Sequence, residues 1–196
     1  MPTIPPATRA LMLICTAVFF LDQLVPFAGM FALWPLGSGL FWPWQVVTYA
    51  FLHGSVMHLV FNMFGLWMFG SELERVWGSR RYLLFLLAGV LAAALAQLAV
   101  TQLMGSNAPT VGASGGLYAL LLAFGILFPN QTIMLLIPPI PMKARTFVIV
   151  FGALELFLGI YGGSGVAHFA HLGGMAGGYL MIRYWRGQPP FGRRRR

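Results

Sequence analysis

The chain has 196 residues, 59% of them hydrophobic and only 8% charged, with a formal net charge of +8. Roughly a quarter of an average soluble domain is charged, so a water-soluble fold of this size is excluded. The single cysteine, Cys15, excludes an internal disulfide and a cysteine metal cluster.

Taken in chain order, six apolar stretches predict bilayer spans at roughly 10–33, 55–73, 81–104, 111–128, 145–161 and 166–185, because a span needs about 20 such residues. The predicted fold is therefore all-α, a six-transmembrane-helix bundle forming a single domain over 1–196. The first stretch is too long for a removable signal peptide and lacks a small-residue cleavage site. No soluble domain is expected before residue 10 or after 186. The loop 34–54 carries Trp34, Phe41, Trp42 and Trp44, a composition suited to the membrane–water interface. Ile137–Pro141 (IPPIP) is predicted to lie at the cytoplasmic surface outside regular helix, since proline lacks the amide proton. Tyr161–Gly165 is glycine-rich and suits a mobile lid. Asp22 and Glu155 are placed near the middle of spans one and five, away from the depth of any site, with no role assigned.

Basic residues orient the bundle, because Lys and Arg are retained on the cytoplasmic side. With the N-terminus inside, all 12 basic residues fall on one face: Arg9, Arg75, Arg80, Arg81, Lys143, Arg145, Arg183, Arg186 and Arg193 to Arg196. The opposite loops, about 34–54, 105–110 and 162–165, carry none. Both termini are thus predicted to be cytoplasmic. The positive charge serves topology and anionic lipid head groups, so no nucleic-acid partner is expected.

Polar side chains inside such spans are costly and mark interior or wet sites. Span two has His58 and Asn62, span four has Ser114 within Gly112-Ala-Ser-Gly115-Gly, and span six has His168 and His171 before Gly173 and Gly174. Each set follows shortly after its span begins, and at about 1.5 Å per residue this places them roughly 5–12 Å below the outer surface. His58 and Asn62 share a helix face, as do Ser114 and Tyr118. Gly112-x-x-x-Gly116, Gly173-x-x-x-Gly177 and Gly174-x-x-x-Gly178 permit close helix approach in lipid. Such frames more often serve packing than catalysis, and a serine in a membrane helix commonly bonds to its own backbone.

Taken together, these residues resemble the rhomboid family of intramembrane serine proteases: His58-x-x-x-Asn62, Gly112-x-Ser114-Gly115 and Ala170-His171-x-x-Gly174 occur in family order over roughly residues 40–180. Trp44 stands where the family commonly has a Trp-Arg pair, with Gln45 in place of Arg, and Glu74-Arg75 looks like its acidic-basic pair. The resemblance implies a serine endopeptidase acting on transmembrane protein substrates in the lipid bilayer, without cofactor or metal. It implies Ser114 as nucleophile and His171 as base in a dyad without an acidic third member. Tyr118 would support the imidazole, and His58, Asn62 and the Ser114 amide would form the oxyanion hole. His168 competes with His171, while His53 is expected to hydrogen-bond structurally. A polar cavity open to the outer face, lined by His58, Asn62, Ser114 and His171, would supply water. Neither an H-E-x-x-H nor a paired-aspartate pattern supports a metal site. Two alternatives stand beside this reading: a non-catalytic rhomboid-like protein that binds membrane helices, and a proton-coupled transporter using Asp22 and Glu155. The compact core points to a prokaryotic inner membrane.

Overall fold

A computed structural model describes residues 3–134, 139–162 and 166–191. Part of Ile137–Pro141, most of the expected lid Tyr161–Gly165 and the Arg193–Arg196 tail lie outside the described residues.

Helix α1 (Pro6–Leu24) begins on proline, whose missing amide is harmless in a first turn. The next two amides are captured from afar: Ala7 N and Thr8 N donate to the Glu74 carboxylate at 2.9 and 2.7 Å, and the hydroxyls of Thr8 and Ser79 each add a bond of 2.7 Å. A carboxylate at a helix N-terminus satisfies free donors and suits the helix dipole. Glu74 thereby ties the start of the chain to the helical run that follows span two. Arg75, its neighbour, pairs with Glu72 and reaches the Thr3 carbonyl at 3.1 Å.

Asp22 lies in the last turn of α1, not in mid-span. Its Oδ1 accepts from Phe27 N and Ala28 N at 2.8 and 2.7 Å, turning the chain through Pro26 into the short α2 (Ala28–Phe31). The first stretch therefore ends as a helix at Leu24, well short of residue 33.

The aromatic loop is held from within by Gln45, which is 0% exposed. Its side-chain oxygen accepts from Trp34 N, and its amide nitrogen donates to the carbonyls of Met30 and Leu40. These are neutral bonds with both ends satisfied, so the loop is anchored without the family's usual guanidinium. Trp42 and Trp44 stack at 4.9 Å and stay exposed. Leu33 and Thr110 exchange backbone bonds, and Gly112 N donates to Tyr49 O at 2.9 Å, clipping this loop to the segment that leads into Ser114.

After α3 (Gln45–Thr48), helix α4 (Val56–Gly65) starts at Ser55, whose hydroxyl accepts from His58 N at 3.1 Å. It continues through a π-turn, Leu66–Gly70, into α5 (Ser71–Met104). Gly78, at φ +74°, bends that run; only glycine adopts this conformation cheaply. Then come α6 (Ser114–Leu127), α7 (Ala144–Tyr161) and α8 (Val166–Trp185). A two-stranded antiparallel hairpin, β1 (Thr132–Met134) with β2 (Pro141–Lys143), is the small departure from an all-α fold.

By length and composition, three helical runs among the described residues are long and apolar enough to cross a membrane: Pro6–Leu24, Val56–Met104 and Ala144–Tyr161. This is fewer than the six predicted. Spans two and three merge into one run bent at Gly78, α6 is apolar but has 14 residues, and α8 is diluted by glycines, histidines and Arg183.

The bundle centre is a seam of small residues. A Cβ on Gly174 would lie 2.0 Å from Gly115 O, and one on Gly173 or Gly177 would lie 2.4 or 2.3 Å from the methyls of Ala96 or Ala92. Gly174 and Gly178 therefore face α6, while Gly173 and Gly177 face α5. Gly112, grouped with Gly116 by spacing, belongs elsewhere: it precedes α6 at φ +126°.

Candidate active site

Helix α6 opens on Ser114, so the amides of Ser114, Gly115 and Gly116 precede the first intrahelical bond, from Leu117 N to Ala113 O. Such amides are free donors at the positive end of a helix. The Gly115–Gly174 contact brings α6 and α8 within backbone distance, and there the Ser114 hydroxyl meets the His171 ring, with Oγ to Nε2 at 2.8 Å. The competing His168 instead places its Nδ1 2.6 Å from Glu155 Oε2.

Tyr118, one turn below Ser114, stacks flat on the His171 imidazole, with centroids 4.3 Å apart and planes within 7°. Its hydroxyl donates to Glu155 Oε1. The other carboxylate oxygen lies 3.0 Å from His171 Nδ1, a close contact outside good hydrogen-bond alignment.

This overturns the placement of Glu155 away from the site. Helix α7 runs opposite to α4, α6 and α8, so depth must be counted back from its C-terminal end at Tyr161. Six residues at 1.5 Å each put Glu155 about 9 Å below that end, level with the serine. It also puts a carboxylate beside the Ser114–His171 pair. The side-chain N and O donor atoms of Glu155, His168 and His171 lie within 4.8 Å of one another, a grouping that motif patterns did not reveal.

On the other side of Ser114, Gly54 N points at His58 Nδ1 over 3.4 Å, which leaves the ring proton on Nε2. A Cβ on Gly112 would sit 2.7 Å from His58 Nε2 and 3.6 Å from Ser114 Oγ. The imidazole and the hydroxyl thus flank the same small volume, kept open because residue 112 has no side chain. Asn62 Nδ2 donates to His58 O at 2.8 Å, and its buried Oδ1 has no partner among the described residues.

A cavity of about 370 Å³ adjoins Asn62 and Ser114, but its remaining walls are mostly apolar, including Phe61, Leu117, Phe147 and Phe151. It runs between α4, α6 and α7 and is not the cavity lined by four polar residues that was expected. His53 is also not the hydrogen-bonder foreseen: among the described residues neither ring nitrogen has a hydrogen-bond partner, and the ring packs edge-on to His58 at 5.2 Å. Burial lowers its pKa to about 4, and the nearby His58 adds to the shift against a weak backbone contact at Phe51.

Comparison with known proteins converges on one family. A family model described as the Rhomboid domain matches residues 41–187. Presenilin-associated rhomboid-like protein A, mitochondrial, of Danio rerio is 30% identical over 74% of this chain and 39% of its own length. Rhomboid protease GluP of Bacillus subtilis is 31% identical over 70% of this chain and 25% of its own. Rhomboid protease GlpG of Klebsiella pneumoniae is 30% identical over 90% of this chain and 62% of its own. The chain thus spans less than two thirds of these relatives. With a domain match covering most of its length, and long apolar helices to carry it, this chain is an integral membrane protein of the rhomboid family.

Proposed function

We propose that the protein is an intramembrane serine endopeptidase that cleaves the transmembrane segments of other membrane proteins, with Ser114 as nucleophile and His171 as general base. The observation that carries this reading is the 2.8 Å approach of Ser114 Oγ to His171 Nε2, within the range needed for proton transfer.

Ser114 Oγ attacks the scissile carbonyl as its proton passes to His171 Nε2. The negative charge that develops on the carbonyl oxygen falls beside Gly112, where the Ser114 amide and the Nε2 proton of His58 converge, and the second Nδ2 proton of Asn62 is the third donor. One such donor is typically worth about 3–4 kcal/mol. His171 then protonates the leaving amine as the C–N bond breaks, and water attacks the acyl-serine by the reverse proton route. A helical substrate must unwind locally to present its carbonyl, so residues that weaken helices near the cut favour cleavage. The apolar cavity beside Ser114 suits such a segment.

The same reading gives the bundle six crossings, with the run Val56–Met104 folding back at Gly78, and both termini on the cytoplasmic side. It is supported by the basic ends: Arg81 lies 5.9 Å from the Trp185 ring at the tip of α8, at the end of the bundle away from Ser114. A bacterial inner membrane is the proposed location, in keeping with the 90% of this chain matched by the Klebsiella protease.

The test is cleavage of a tagged single-span substrate in vesicles, with fluorophosphonate labelling in parallel. Ser114→Ala and His171→Ala should abolish both while leaving the protein folded. Undiminished cleavage by folded Ser114→Ala defeats the proposal, and binding of membrane helices without labelling of the wild type favours a non-catalytic role.

A further inference from the structure

We propose that Glu155 is a positioning residue for the Ser114–His171 pair, a carboxylate whose proximity favours the imidazole tautomer with its proton on Nδ1; the inference rests on the protease reading. Glu155 is 7% exposed on an apolar helix, where an ionised carboxylate is costly unless it is met by donors. Its donors belong to the site. Tyr118 OH bonds Oε1, while Oε2 faces His168 Nδ1 at 2.6 Å and His171 Nδ1 at 3.0 Å. Among the described residues no Lys or Arg pairs with it.

An imidazole whose Nδ1 faces a carboxylate keeps its proton there. The lone pair is then on Nε2, the atom 2.8 Å from Ser114 Oγ, and the ring is ready to accept the serine proton. When that proton arrives, the cation lies between the Tyr118 ring face, 4.3 Å away, and the carboxylate. Glu155 stays ionised throughout, and the proton leaves from Nε2 to the departing amine, so no net charge is left behind. His168, one turn before His171, steadies the same carboxylate oxygen, and Tyr118 steadies the other. One carboxylate thereby sets the position of the ring relative to α6, α7 and α8 together.

A purely structural tie would predict the same contacts but different kinetics. The second-order rate of fluorophosphonate labelling, which needs no docked substrate, is to be measured with kcat, KM and thermal midpoint for wild type, Glu155→Gln and His168→Gln. Loss of the correct tautomer should slow labelling and kcat by about 100-fold or more in Glu155→Gln, with KM and the midpoint little changed, whereas His168→Gln should lose only several-fold. Labelling of folded Glu155→Gln at the wild-type rate overturns the inference, as does a loss that only tracks the fraction unfolded. Should that variant not fold, 15N-histidine NMR of the wild type decides: a His171 proton on Nδ1 supports the inference, and one on Nε2 overturns it. Labelling lost on chelation and restored by zinc would replace proton positioning with a metal role at Glu155, His168 and His171. A wild type that never labels while Glu155→Gln is equally silent sinks the protease reading itself.

Discussion

Asp22 and Glu155 are both carboxylates in apolar helices, and the structure gives them opposite work. Asp22 stands at the end of α1 and turns back onto two backbone amides, Phe27 and Ala28, so it serves its own segment. Glu155 stands well inside α7 and addresses side chains from two other helices, Tyr118 on α6 and both histidines on α8. An intramembrane acid near a helix end finds free backbone donors, whereas one a turn or more inside must be met by side chains. Position along the helix thus separates the acid that binds backbone from the acid that gathers side chains.

The comparison can be broken by substitutions that separate the scaffold from the site. The largest expected effect is Gly174→Val, whose side chain must enter the volume of Gly115 O, 2.0 Å from the Cβ position. It should cost more than about 3 kcal/mol and leave little folded protein by thermal unfolding. Gly112→Ala comes next. It places a methyl 2.7 Å from His58 at a φ of +126°, so turnover should fall by about 100-fold, on the order of one lost oxyanion donor, with a smaller loss of stability. Glu74→Ala removes the acceptor for Ala7 and Thr8. It should cost about 2–3 kcal/mol while specific activity per folded molecule holds, in contrast to Glu155→Gln.

Acid provides the next effect. His53 has a pKa lowered to about 4, so between pH 6.5 and 4 the unfolded chain takes up a proton that the folded one refuses. Stability should therefore fall as pH drops through that window and level off below it, by at most about 3 kcal/mol. His53→Phe should flatten the slope in pH-dependent melts. Asp22→Ala should be mildest, about 1 kcal/mol as for a lost helix cap, with activity unchanged. An Asp22 variant that behaved like Glu155→Gln would erase the distinction.

Much of the site was legible because its chemistry sits on helices that run the same way. Counting inward from the start of spans two, four and six put His58, Ser114 and His171 at one level, and Ala-His-x-x-Gly separated His171 from His168. Glu155 escaped that count because α7 runs the other way, and its depth appears only when counted from Tyr161. Glycine spacing carried the packing of Gly173, Gly174, Gly177 and Gly178 but misread Gly112, since a one-dimensional pattern does not contain a φ of +126°. Gln45 shows a similar limit. A family pattern built on charge gives no account of how a neutral amide holds three backbone partners from a fully buried position.

Ala119 has a consequence beyond packing. Its methyl lies 2.5 Å from the place where Gly89 would carry a Cβ, and 3.0 Å from the corresponding place on Gly178. One methyl is therefore pinched between two neighbouring cylinders and acts as a key in a slot, stopping α6 from rolling about its long axis. Ser114 lies little more than one turn away, so the compass bearing of the nucleophile depends on one methyl and on the two that Gly89 and Gly178 lack.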